Sequence, residues 1–404
     1  MNFSTFAKSE ISDLPISLSE FERSRHLYLI ARTGSGKSTM LERLVVSDID
    51  AGKPGIFLDP HGESAHRVLD TIRPTRKVSY FDLASTTHAI RYNPIAGIPL
   101  QHAAKAANDH IAAVKDIFFE RDFNAPRFTH YYRNHLIPLI EKGDGTLRDL
   151  LRMLSDNDFR DAVTAGTRDP LARDFWHPKT GEYAQADKKY NREAVAPIAN
   201  KLSQILSSPN VRSVLDCRQP VLNLDQAFRK GYFVVVNLAK GQIGKDAASF
   251  VGSLLLSDAN NALMARQEHE VRATPLTLDE FQNYAPLLLA DMLAEIRKKG
   301  GQISMAHQFS SQLEEQTFDA IMGNCGTIIS FQVSPKDARL LAPQFDVRAH
   351  HQFAPSALTS LEPYHAIMRT TDIERIVTIP PAPPTGRAEM VMRASNSRFA
   401  REID

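Results

Sequence analysis

The sequence predicts an α/β fold, a mostly parallel sheet with helices on its faces, interrupted by an all-helical insert. Three observations carry this. A short apolar run, Leu27-Tyr28-Leu29-Ile30, leads directly into the glycine turn Gly34-Ser35-Gly36 and then into a helical pattern. Two further apolar runs alternate with helix in the order βαβαβ, which parallel sheets require because each crossover must return to the same sheet edge. Between about Gln101 and Val214 the β-branched runs give way to helical periodicity, and sheet-like segments resume after it.

Taken in order, Leu27 to Ile30 is the first predicted strand, and Met40, Leu41, Leu44 and Val45 recur behind the glycine turn at the spacing of one helix face. Ile56-Phe57-Leu58 and Val78-Ser79-Tyr80-Phe81 are the next strands, with helix from Ala65 to Ile72 between them. The helical patterns of the insert run His102 to Phe119, Phe128 to Ile140 and Ala194 to Leu206. Strands are expected again at Tyr232 to Leu238, Pro275 to Leu278, Ile303 to Ala306 and Thr327 to Phe331. The predicted domains are residues 1–100 and 216–379 as two parts of one nucleotide-binding domain, 101–215 as the insert, and 380–404 as a linker and tail. The linker follows from Pro380-Pro381-Ala382-Pro383-Pro384, too proline-rich for helix or sheet, and a short arginine-bearing tail follows it. No internal repeat is evident.

Composition narrows the function classes. With 43% hydrophobic residues the chain is long enough for a sizeable core, and 48 basic against 47 acidic residues leave a net charge of +1. There is thus no global field drawing it onto nucleic acid or membrane, and any polyanion site must be local. Cys217 and Cys325 lack zinc or redox spacing and are expected to be buried thiols of a reducing compartment. Met1-Asn2-Phe3-Ser4-Thr5-Phe6 has no signal-peptide character, and no apolar run approaches bilayer-spanning length, so a soluble, cytoplasmic protein without membrane insertion is expected.

The chemistry begins in Ala31-Arg32-Thr33-Gly34-Ser35-Gly36-Lys37-Ser38-Thr39. Small residues there let consecutive backbone N–H groups turn inward around a polyphosphate, and the following helix adds its positive end. This is a P-loop: Thr33, Gly34, Ser35, Gly36, Lys37, Ser38 and Thr39 would cradle a nucleoside triphosphate, most naturally ATP. Lys37 would reach the β- and γ-phosphates and Ser38 would ligate Mg²⁺. Ala31 stands where glycine is usual, which places the first turn of the loop in question.

A second cluster is Leu276-Thr277-Leu278-Asp279-Glu280, where an apolar strand delivers two carboxylates to the edge at which α/β sheets bind ligands. Asp279 would hold Mg²⁺ through water and Glu280 would polarise the attacking water. Gln308, after the strand Ile303 to Ala306, can hydrogen-bond both that water and the γ-phosphate, or be a solvated turn residue. Arg297, followed by Lys298, Lys299, Gly300 and Gly301, suits an ordinary helix end with basic residues and a glycine cap, or an arginine finger for a neighbouring subunit's ATP. Asp59-Pro60-His61-Gly62-Glu63 is better read as a loop bordering the nucleotide than as a metal site, because the ligands are crowded and no fourth is evident. Arg127, His130, Tyr131, Tyr132 and Arg133 mix aromatic and basic groups as a nucleic-acid face does, or as an amphipathic helix does.

With these residues in place, the sequence resembles the HerA/FtsK superfamily of hexameric motor ATPases and, within it, the type IV secretion coupling-protein-like ATPases of conjugation. Five stretches carry the likeness in order: Ala31 to Thr39, Phe57 to Glu63, Tyr92-Asn93-Pro94-Ile95, Leu278 to Gln282, and Arg297-Lys298-Lys299-Gly300 through His307-Gln308. Asp174-Phe175-Trp176, Asn237 to Gly241 and Asn324 to Thr327 are similar as well. The resemblance implies a RecA-like P-loop NTPase fold, Gln308 as sensor, Arg297 as a finger acting in trans, and a ring of six with ATP between subunits and DNA in its channel. Such coupling proteins begin with transmembrane helices, so either the anchor is a separate protein or the motor never works at a membrane. A relaxase or secretion partner is implied on the same ground. Rival expectations are a secretion-apparatus ATPase that moves protein, a packaging or defence ATPase of the same superfamily, and a non-hydrolysing nucleotide switch.

Overall fold

The computed structural model describes residues 5–118, 126–284, 286–346, 353–381 and 383–403; Met1, Asn2, Phe3, Ser4, Phe119 and Ala382, named above, lie outside them. The chain forms two compact units. One comprises Met1–Phe81, Leu224–Leu238 and Leu256–Arg398, the other Asp82–Asn223, Ala239–Leu255 and Phe399–Asp404.

The strands, in chain order, are β1 (Thr5–Ser9), β2 (Pro15–Ser17), β3 (Leu27–Ile30), β4 (Gly55–Asp59), β5 (Val78–Asp82), β6 (His88–Ala89), β7 (Phe233–Asn237), β8 (Thr274–Asp279), β9 (Gly301–His307), β10 (Thr327–Ser330), β11 (His365–Arg369), β12 (Ile373–Thr378) and β13 (Arg401–Glu402). Eleven of them make one sheet in the order β2-β1-β12-β11-β10-β3-β9-β8-β4-β7-β5. The run from β10 through β3, β9, β8 and β4 to β7 is parallel. Every residue of β3, β4, β7, β8 and β9 is buried, as a parallel sheet covered on both faces demands.

Seven of these strands are the ones expected from apolar runs. The other four are antiparallel and extend the sheet beyond β10: β11 pairs with β10, β12 with β11, β1 with β12, and β2 with β1. Segments far apart in sequence thus meet in one sheet, with Ala7 opposite Thr378. In β12 the exposed or half-buried residues outnumber the buried ones, so no continuous apolar run marks it.

The helix Lys37–Asp50 is fixed through Met40, Leu41 and Leu44, which pack with Leu27, Leu29, Ala306, Ile329 and Phe331. A second core joins Val45 and Ile49 to Phe57, Val68, Leu69, Ile72, Phe233 and Val235. Ala388 and Val391 belong to this core, because the residues after the proline run fold into a helix, Ala388–Phe399. Asp70 accepts from the N–H groups of Thr385 (2.6 Å) and Ala388 (3.2 Å), capping that helix, and Ser395 Oγ accepts from Tyr80 N at 2.8 Å. The arginine-bearing stretch expected as a tail is thus a packed helix, because Ala388 and Val391 find the core while its arginines stay outside.

The second unit is helical, including Ala103–Phe118, Pro126–Lys142, Leu147–Ser155 and Lys188–Leu206, with β6 and β13 as a small antiparallel pair. Tyr131 and Tyr132 are fully buried. Tyr131 donates to Asn191 Oδ1 at 2.7 Å and packs edge-on against Phe175, while Trp176 Nε1 donates to the Asn134 carbonyl at 2.7 Å. Arg127 lies 3.8 Å above the Tyr190 ring and His130 meets Glu182 at 2.8 Å. The aromatic and basic run is therefore an amphipathic helix with its tyrosines inward, so these rings offer no base-stacking face. Asn93, from the Tyr92 to Ile95 stretch, donates to the carbonyls of Gly145 (2.8 Å) and Cys217 (2.6 Å) and accepts from Ile95 N at 3.0 Å, tying three segments together. Cys217 and Cys325 are both free and buried. Among the described residues, no helix is long and apolar enough to cross a membrane.

Candidate active site

The carboxyl ends of β3, β9 and β8 lie side by side, since Ile30 is level with His307 and Ala306 with Asp279. The loop after β3, Gln308 after β9 and Asp279-Glu280 at the end of β8 consequently form a row along one edge of the sheet, the edge where parallel sheets offer a crevice.

In the loop, Gly34 and Gly36 take φ of +80° and +108°, which L side chains rarely adopt, and Gly36 opens the helix Lys37–Asp50. Ala31 is buried and is not among the positive-φ residues, so this first position has no need of glycine. Its N–H donates to the His307 carbonyl at 3.2 Å and that of Arg32 to Gln332 O at 2.9 Å, which fastens the loop to the end of β9 and to the segment just after β10. Ser35 Oγ closes the turn on the Arg32 carbonyl at 2.5 Å. Lys37 points inward, its side chain 9% exposed, and its ammonium pairs with Asp279 Oδ1.

Asp279 Oδ1 also accepts from Glu280 N at 2.9 Å. Glu280 adopts a left-handed conformation (φ 47°) that is costly outside glycine and persists only when its neighbours over-determine it. Here Asp279 is pinned by Lys37 on one side, and on the other Phe281 is buried among Tyr28 and His307. Tyr28 and His307 share a hydrogen bond beneath the site, and burial depresses the His307 pKa to about 3, so the imidazole stays neutral there.

A chain of side-chain hydrogen bonds links the row. Thr33 Oγ1 donates to Gln308 Oε1 at 3.2 Å, and Gln308 Nε2 donates to Glu280 Oε1 at 3.0 Å. Asn283 Nδ2 donates to Glu280 Oε2 at 3.3 Å, and His61 Nε2 stands 3.5 Å from Glu280 Oε1. Asn283 escaped sequence reasoning, because its place three residues beyond Glu280 carries no pattern that marks it as a partner of that carboxylate. His61 comes from the loop after β4, the strand beside β8. Asp59 spends its carboxylate on His61 N (2.9 Å) and Ala65 N (2.8 Å), and burial, opposed by those bonds, still raises its pKa. This stretch borders the site as a loop, and among the described residues no group of three or more His, Cys, Asp or Glu could hold a metal by itself.

Mg²⁺ at a P-loop needs no such cluster, because phosphate oxygens and water supply most of its ligands. The residues fit it: the Ser38 side chain is half-buried at the helix start, and Asp279 presents a carboxylate to the same pocket as Lys37. Arg297 stands apart. It is exposed in the turn Ile296–Lys299 that precedes β9, its guanidinium 5.8 Å from the Phe21 ring, at the amino edge of the sheet. The seven-residue strand β9, roughly 20 Å of extended chain, separates it from Gln308.

The family model for the central domain of the helicase HerA matches residues 5–259, and a model for the TraM recognition site of TraD and TraG matches 274–344. No curated protein matches the sequence. Among solved structures, the bacterial conjugative coupling protein TrwBdeltaN70 in its unbound monoclinic form is similar at 16% identity and TM-score 0.69, over 96% of this chain and 91% of that one. TrwB in complex with ADP and Mg²⁺ is similar at 16% identity and TM-score 0.67, over 93% and 90%. VirB4 of Thermoanaerobacter pseudethanolicus gives 13% identity and TM-score 0.63, over 95% and 97%. These likenesses show the RecA-like P-loop fold, and the match over more than half its length shows that the chain belongs to the family of the HerA helicase central domain.

Proposed function

We propose that this protein is an ATP-driven DNA-translocating motor that hydrolyses Mg²⁺-ATP at the subunit interfaces of a homo-hexameric ring. The observation that supports the hydrolytic part is the row Thr33, Gln308, Glu280 beside the Lys37–Asp279 pair, a carboxylate and an amide next to the glycine loop, as a general base and a sensor beside a phosphate cradle would be. The loop N–H groups and Lys37 bind and orient the triphosphate. Glu280 takes the proton of the attacking water, and Gln308 holds the Glu280 carboxylate while its own carbonyl is held by Thr33. Mg²⁺, with Ser38 and Asp279 as its protein partners, would supply charge neutralisation on the phosphate oxygens.

Arg297 supports the multi-subunit part, since its position at the far edge of its own sheet suits a finger acting on a neighbour's ATP. DNA as the moved polymer rests on the family and on TrwB, a conjugative coupling protein crystallised with nucleotide analogues. On this proposal the helical segment 101–215 is an insert in the ATPase domain that recognises DNA or a partner such as a relaxase or secretion component. ATP turnover measured alone and with single- or double-stranded DNA tests it: stimulation by DNA is expected, whereas turnover indifferent to both would favour a protein-moving secretion ATPase. Absence of multiple turnover under all conditions would leave a nucleotide switch.

A further inference from the structure

We propose that Tyr364 is the stacking platform for the base of the bound nucleotide, an inference that rests on reading Ala31 to Thr39 as the triphosphate cradle. The direction of the ligand follows from strand order. Glu280 and Gln308, which mark the γ-phosphate end, follow β8 and β9, both on one side of β3. The nucleoside end must then leave toward the other side of β3, where β10 and then β11 lie. Tyr364 immediately precedes β11, which runs antiparallel to β10, so it stands at the same carboxyl edge as the cradle.

Its backbone is held from both directions. Tyr364 N–H donates to the carbonyl of Ser35 in the P-loop at 2.8 Å, and its carbonyl accepts from Thr378 N at 2.8 Å. The residue is left-handed (φ 69°), a conformation uncommon for an aromatic and maintained by those two bonds. Its ring lies against Gly36, where a β-carbon would come 2.9 Å from Cδ1. Yet 41% of the residue is exposed, although it is a large ring in direct contact with the loop. A half-exposed ring on a backbone held from both directions, abutting the start of the P-loop helix, offers a π-face to a base, and such stacking is tolerant of base identity because every base has a π-face.

The experiment is calorimetric titration of the full chain with Mg²⁺-ATP and, separately, with Mg²⁺-tripolyphosphate, which shares the phosphates and lacks the nucleoside. Tyr364→Ala should raise the ATP Kd roughly 10- to 100-fold and leave tripolyphosphate within about twofold, while Tyr364→Phe should keep both close to the parent. Equal weakening of both ligands by Tyr364→Ala would mean that the ring only shapes the loop, and unchanged ATP affinity would mean that it does nothing; either overturns the platform. If Lys37→Ala leaves the affinity for both ligands unchanged, or the parent binds neither, the cradle itself is misassigned and the platform falls with it.

Discussion

Glu280→Gln alters basicity at one position and little else. The side chain is buried and accepts from Gln308 Nε2 at 3.0 Å and Asn283 Nδ2 at 3.3 Å. An amide oxygen of the same reach can still accept from Gln308, while the amide nitrogen opposite Asn283 Nδ2 gives up that one long bond, so the structural loss is about 1 kcal/mol, or roughly fivefold in any equilibrium that senses it. Removal of a general base should lower turnover by about 10²- to 10⁴-fold, roughly 3 to 5 kcal/mol in the barrier. The two effects are thus well separated. Steady-state phosphate release gives kcat, and titration of a fluorescent ATP analogue gives affinity in the same preparation. The expected result is a loss of at least a hundredfold in kcat with affinity within about fivefold. Because Gln308 touches the same carboxylate oxygen, Gln308→Ala combined with Glu280→Gln should cost far less than the product of the two single losses. A Glu280→Gln protein that keeps multiple turnover within fivefold of the parent would refute the assignment of the base.

Three further outcomes follow from other parts of the molecule. Ala31→Gly should destabilise by about 0.5 to 1 kcal/mol in urea unfolding with nucleotide affinity unchanged, since Ala31 is buried and needs no positive φ. Co-expressed Arg297→Ala and Glu280→Gln chains, each inactive alone, should recover about a quarter of parental turnover in mixed rings if the finger acts in trans, and none if it acts in cis. His26, His110, His135 and His307 are held by burial at pKa values of about 4, 3, 4 and 3, against 6.5 when unfolded. The unfolded chain therefore binds more protons below pH 6.5, so the stabilisation is full above that pH and is lost as pH falls toward 4 to 3. Each should remove roughly 2 kcal/mol by pH 5, seen as a falling thermal midpoint; a flat profile between pH 7 and 5 would contradict it.

What the sequence determined by itself is local chemistry. The P-loop is contiguous, so Gly34, Gly36, Lys37 and Ser38 stand out by their spacing along one strand, turn and helix. The six strands of the parallel run were legible because strands buried on both faces are largely apolar. Asp279 and Glu280 were legible because they end such a strand. What the sequence left open depends on pairing between distant residues. Gln308 looked equally like a turn glutamine until strand order set it between Thr33 and Glu280. Arg297 carries the local marks of a helix end in either role, and only the sheet shows that it lies at the opposite edge from its own P-loop. The antiparallel strands at the chain ends and the helix after the proline run are mixed in polarity, so their burial becomes visible only once β1 meets β12 and Asp70 meets Thr385. Tyr364 is the extreme case, 328 positions from Gly36 in sequence and against it in the fold, because hydrogen bonds and close packing are made in space and leave no periodic trace along the chain.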